Sequence, residues 1–148
     1  MLIHPWFFMA VTAAVIWGLS YAVSEHVLKS AVSAPSLLFI YAIFSAPLYA
    51  LFAYIDGSFF SSLEKLSASR SLMLWMAVIV IGYFAANLLV FSAISAKNAT
   101  VASLIEISYP LFTALFAWIL YRDIQLNWAV FAGAVMIIVG TVVVYRYS

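Results

Sequence analysis

The chain has 148 residues, 68% of them hydrophobic and only 7% charged, with a formal net charge of +1. Ordinary soluble domains carry roughly 25% charge, and so small a domain leaves too much of its surface wet to hide this apolar area, so a water-soluble fold is excluded. Without cysteine there are no disulfides or thiolate metal sites, and His4 and His26 are too far apart to suggest a metal centre.

The eleven charges are Glu25, Lys29, Asp56, Glu64, Lys65, Arg70, Lys97, Glu106, Arg122, Asp123 and Arg146. Ten of them border long apolar runs. Residues 1–24, 30–55, 71–96 and 124–145 carry no charge, and 98–121 carries only Glu106. A hydrocarbon core ~30 Å thick needs about 20 apolar residues at helical rise, so each run is long enough for one crossing. The runs are apolar on all sides, whereas barrel strands alternate, so helices are expected. In chain order the spans are expected at 5–27, 35–54, 71–93, 99–121 and 126–145.

The first run has no basic leader and continues to Ser24, so it is read as a retained span and not as a signal peptide. Glu25 shares a stripe with Tyr21 and Gly18 at its end and is spaced to pair with Lys29. Prolines stand near the starts of the first two spans, where a missing N–H costs nothing. Pro47, within the second, predicts a kink. The connection 55–70 holds Asp56-Gly57, many serines and four charges, and is expected to be a loop in water. Asn87 in the third span is a candidate for substrate binding or for joining helices. Gly82 in that span, with Gly133 and Gly140 in the fifth, marks faces for close helix packing. Trp6, Tyr54, Trp75, Tyr121, Trp128, Tyr145 and Tyr147 are expected to anchor the interfaces, while Trp17 and Trp118 lie further in.

The fourth span carries the chemistry. A central intramembrane carboxylate costs about 2.5–3.5 kcal/mol on insertion scales, so Glu106 is expected to face protein or water. Pro110 lacks the N–H that would bond the Glu106 carbonyl, which places the acid at a bend. Ser103, Glu106, Pro110, Thr113 and Ala117 share one helical face, small and polar in an otherwise apolar helix. Glu106 is the candidate substrate or proton-coupling group, with Asn87, Ser103 and Tyr109 as partners. No phosphate loop, nucleophile elbow or intramembrane protease set is present. No enzyme, no cofactor and no nucleic-acid partner is expected.

Basic residues divide evenly. Lys65, Arg70 and Arg122 fall on one side of five crossings, and Lys29, Lys97 and Arg146 on the other. The positive-inside rule therefore gives no orientation. Chance explains this in a short chain, and so does insertion both ways with pairing of inverted copies.

Three segments carry a family resemblance. AVIWGLSYAVSEHVLK holds a mid-helix Trp17-Gly18 pair. NATVASLIEISYPLFTALFAWILYRD has a small-residue start, a central Pro110 and an acid past its end. AGAVMIIVGTVVV is marked by Gly133 and Gly140. Together they resemble the EamA type of the drug/metabolite transporter superfamily over nearly the whole chain. Two positions depart from that pattern: Tyr41 stands near the place of a frequent arginine, and Asp123 replaces a frequent glutamate. The resemblance implies an all-α, multi-pass protein of the inner cell membrane, a single EamA-like domain over 1–148. Its five transmembrane helices would form one repeat of a helical-bundle transporter. Such a half-size member would move small metabolites by alternating access, as an antiparallel homodimer or with a sister half. The rival readings are a small multidrug exporter or lipid-carrier flippase subunit, and a non-transporting membrane scaffold subunit.

Overall fold

The computed structural model describes residues 5–122 and 127–148; His4, Asp123 and Leu126 lie outside the described residues. Seven helices follow one another: α1 (Pro5–Lys29), α2 (Ala34–Ile55), α3 (Phe59–Ala68), α4 (Arg70–Ala96), α5 (Ala99–Glu106), α6 (Tyr109–Tyr121) and α7 (Trp128–Tyr147). Among the described residues there is no strand. Helices α1, α2, α4 and α7, and α5 with α6 taken together, give five segments long and apolar enough to cross a membrane.

The helix starts are written in the sequence. Ser33 Oγ accepts from the backbone N–H of Ser36 at 3.3 Å, with Pro35 in the first turn of α2. Asn98 Oδ1 accepts from Val101 N–H at 2.8 Å to open α5, and Asn127 Oδ1 accepts from Val130 N–H at 2.9 Å to open α7. Each cap satisfies one of the four N–H groups that a helix leaves unpaired at its start. The corner between α1 and α2 turns through Ala31, at φ 66° in the left-handed region.

One expectation needs correction and another is made more specific. The connection 55–70 is not a plain loop, because most of it is helix α3. Phe59, Leu63 and Leu66 recur at helical spacing and give this stretch an apolar stripe, which its many serines obscure. The fourth span divides into two helices at the expected bend, through two residues that keep right-handed helical dihedrals. α5 ends at Glu106 and α6 begins at Tyr109, with Ile107 and Ser108 between them. Pro110 removes one donor there, and the chain closes tighter turns in its place: Ser108 N–H to Ile105 O at 3.2 Å and Leu111 N–H to Ser108 O at 3.1 Å. Pro47 lies inside α2, which runs on as one helix from Ala34 to Ile55.

The chain divides into two compact units, residues 27–92 and residues 1–26 with 93–148. In the first, α3 packs on α2. In the second, α5 packs beside α7. Lys97 Nζ, at the corner before α5, donates to the Ser148 carbonyl oxygen at 2.5 Å, so that corner and the end of α7 share one side, as alternating crossings require. Most large apolar side chains point outward, including Phe44 at 72%, Leu89 at 70% and Met136 at 75% exposure. Helices apolar on every face and bare of neighbours are built for lipid.

Candidate functional site

The unit formed by residues 1–26 and 93–148 brings together two carboxylates, two phenols and the fourth-span break. Along α1, Tyr21 and Glu25 stand one turn apart and therefore on one face. Both meet α5. The Tyr21 hydroxyl donates to Glu106 Oε1 at 3.0 Å, and Glu25 Oε2 accepts from the backbone N–H of Ala99 at 2.6 Å. The later residue of α1 binds the start of α5 and the earlier one binds its end, so the two helices run antiparallel at this contact.

Each contact has a physical reason. Ala99 is the first residue of α5 and its N–H has no acceptor within the helix. A carboxylate there also meets the positive end of the helix dipole. Asn98 closes the same turn through Val101, so two side chains cap one start. At the other end, Glu106 is the last residue of α5 and is half-buried. A phenol donor is a strong partner for it, since hydrogen bonds to charged groups are worth about 1.5–3 kcal/mol. Tyr21 is buried, its ring tilted against Trp17 with centroids 5.4 Å apart. Tyr109 opens α6 just past the break, exposed, with its phenol within electrostatic reach of that of Tyr21. Small buried residues, Ala99 and Ala102, let α5 sit close to its surroundings, and Ile94 nearby in the chain is fully buried.

The other candidates fall differently. Ser103 turns its hydroxyl back to the Thr100 carbonyl at 3.1 Å, within α5. Thr113 does the same toward Tyr109 at 3.2 Å within α6. Asn87 is half-buried in the unit of residues 27–92, and its amide donates to the Tyr83 carbonyl of its own helix at 2.8 Å. Gly82, Gly133 and Gly140 have open space where a Cβ would stand, with no atom within 4 Å. Among the described residues, no group of three or more His, Cys, Asp or Glu is placed to hold a metal ion.

Beyond the break, α6 and α7 leave apolar hollows between them. One of about 380 Å³ is lined by Pro110, Leu111, Trp118, Phe131, Gly133 and Ile137. A second, of about 350 Å³, is lined by Ser108, Leu111, Phe112, Ile138, Thr141 and Val142. The Thr141 hydroxyl is enclosed there without a hydrogen-bond partner.

Sequence reasoning found Glu106 but missed its partner, since Tyr21 lies 85 residues away in the chain. It also placed Glu25 only beside Lys29. The signal that was available was Asn98, a cap residue marking a helix start that a carboxylate from elsewhere can serve.

The model of the EamA-like transporter family matches residues 4–146. No curated protein and no solved structure matches the chain significantly. With five apolar spans and a family match over nearly its whole length, the chain is a multi-pass membrane protein that belongs to the EamA-like transporter family.

Proposed function

We propose that the chain carries a small metabolite across the inner cell membrane by alternating access, as an antiparallel dimer, with Glu106 as the coupling group. The observation that supports this most is the Tyr21–Glu106 hydrogen bond at the break between α5 and α6. A carboxylate inside a span is functional by default. Here it sits where the helix is interrupted, so a change in its protonation or occupancy acts on a joint. When Glu106 is ionised it accepts from Tyr21; when it takes up a proton or binds a solute it gives up or redirects that bond. Pairing of two inverted five-span copies would complete the two-repeat pattern common among transporters, in keeping with the even split of basic residues.

The test is reconstitution in liposomes, with proton movement read by an entrapped pH dye as a panel of metabolites is added. The reading expects solute-driven flux in the wild type and its loss in Glu106→Gln. Firm co-purification with another membrane protein, and no flux of any kind, would instead favour a scaffold subunit. Reporters active on opposite sides of the membrane, fused to the C-terminus, check the dimer. Signal from one side only would sink the inverted pairing and require a sister half.

A second reading draws on the aromatic rings near Glu106. A carboxylate bound by Tyr21, with Trp17 tilted against that ring and Tyr109 nearby, suits an organic cation, because aromatic faces and carboxylates both attract positive charge. A small multidrug exporter would extrude a fluorescent cation in a Glu106-dependent way, whereas a metabolite carrier would leave the dye in place.

A further inference from the structure

Helix α3 has ten residues, below the ~12–15 at which even favourable helices become stable alone in water. Its apolar stripe must therefore be covered. Phe59 and Leu66 are half-buried, and α3 packs on α2. Phe60 and Leu63 on the same side remain 68% and 50% exposed. Ser61, Ser62 and Lys65 lie on the opposite face and are exposed, while Glu64 and Ser67 flank Phe60; Ser61 and Ser67 hydrogen-bond back to their own turns.

The chain fixes where this stripe is. Only Asp56, Gly57 and Ser58 separate α3 from the end of α2, and only Ser69 separates it from the start of α4. At ~3.3–3.6 Å per extended residue, these links hold the two ends of α3 within about 14 Å and 7 Å of the ends of two membrane spans. The headgroup zone lies at that height. Aromatic rings mark the same level: Tyr54, in the last turn of α2, meets Phe60 edge-on at 6.5 Å, and Phe60 meets Phe59 at 5.2 Å. Tyrosine and tryptophan favour this boundary, where one end of the ring is apolar and the other wet.

We propose that α3 is an interfacial helix, lying in the plane of the bilayer with Phe60 and Leu63 inserted among the lipids at the boundary of headgroups and acyl chains. Its amphipathic stripe and its tethering at both ends carry the assignment. Its partner is the lipid surface itself, and its effect is to set the depth of the adjoining ends of α2 and α4. Glu64 and Lys65 offset each other in charge, so insertion rests on apolar area and not on attraction to anionic lipid.

The chain has no cysteine, so single cysteines can be placed without background. Nitroxide labels at each position from 59 to 68, in the full chain in phosphatidylcholine nanodiscs, would be tested for collision with oxygen and with a water-soluble nickel chelate. Phe60→Cys and Leu63→Cys are expected to favour oxygen several-fold over Ser61→Cys, Ser62→Cys and Lys65→Cys, with helical periodicity. Preference for nickel at all ten positions would overturn the proposal by placing α3 in water. Low access to both reagents at 60 and 63 would overturn it by showing a protein surface there. The polar-face variants keep the apolar stripe intact, so altered folding of the Phe60 variant is recognised against them. Brominated lipid quenching a dye at position 63 gives an independent reading, and no quenching would count against insertion.

Discussion

The two halves of the fourth span are held in different ways. Helix α5 is tied at both ends to α1 by side-chain hydrogen bonds, through Glu25 at its start and Tyr21 at its end, and its Ala99 and Ala102 are buried. Helix α6 has no fully buried residue and borders two apolar hollows. Polar ties have defined geometry, whereas loosely packed apolar faces slide at little cost. The contrast implies that α5 moves with α1 as one body, and that α6 is the half free to swing about Ile107 and Ser108.

The largest expected effect comes from cutting the tie at the joint. Tyr21→Phe removes a hydrogen bond to a carboxylate worth about 1.5–3 kcal/mol, or roughly tenfold to a hundredfold in a rate that depends on it, while Glu106→Gln keeps an acceptor for Tyr21 but loses the charge and the exchangeable proton that coupling needs. Loss of flux in reconstituted protein checks this, and unchanged flux in both variants would place coupling elsewhere. Next is Glu25→Ala, which uncaps α5 and is expected to lower stability by about 1–2 kcal/mol in detergent unfolding. Glu25→Gln keeps an acceptor for Ala99 and should recover most of that loss. Pro110→Ala restores an N–H that can reach the Glu106 carbonyl, joining α5 to α6. Slower transport with slower amide exchange across 106–110 is expected, and exchange as fast as in the wild type would argue against a hinge. Thr141→Val is the smallest change. It removes an enclosed hydroxyl with no partner, so about 1 kcal/mol of stabilisation is expected between α6 and α7.

Five crossings were legible because charges are expensive in lipid and therefore punctuate the spans. Glu106 was legible for the same reason, as the one acid that breaks the rule. Its bond to Tyr21 was not, since nothing in either segment encodes a contact across so many residues. Pro110 announced a bend, and at Ile107 and Ser108 the backbone stays in the right-handed helical region while its hydrogen bonds tighten to three-residue spacing. The missed α3 shows the limit of composition: five serines between residues 55 and 70 made a water-facing loop the natural expectation, and only the spacing of Phe59, Leu63 and Leu66 pointed to a helix. At Asp56 the carboxyl is held below the usual carboxylate range by the hydroxyl and then the backbone N–H of Ser58. That turn is accordingly formed at neutral pH and expected to loosen as pH falls through the lowered value, visible as increased label mobility at Ser58.

The ties between α1 and α5 also bear on how the chain enters the bilayer during synthesis. Residues 21 and 25 are made long before residue 106, so α1 is already in place when the fourth segment leaves the ribosome. An acid and an interrupted backbone make that segment a poor candidate to insert unaided. A waiting phenol and a waiting carboxylate offer it hydrogen bonds on arrival. Glycosylation mapping of nascent chains is expected to show full insertion of residues 99–121 behind native α1 and reduced insertion behind α1 bearing Tyr21→Phe and Glu25→Ala. Equal insertion in both would confine the role of α1 to the finished fold.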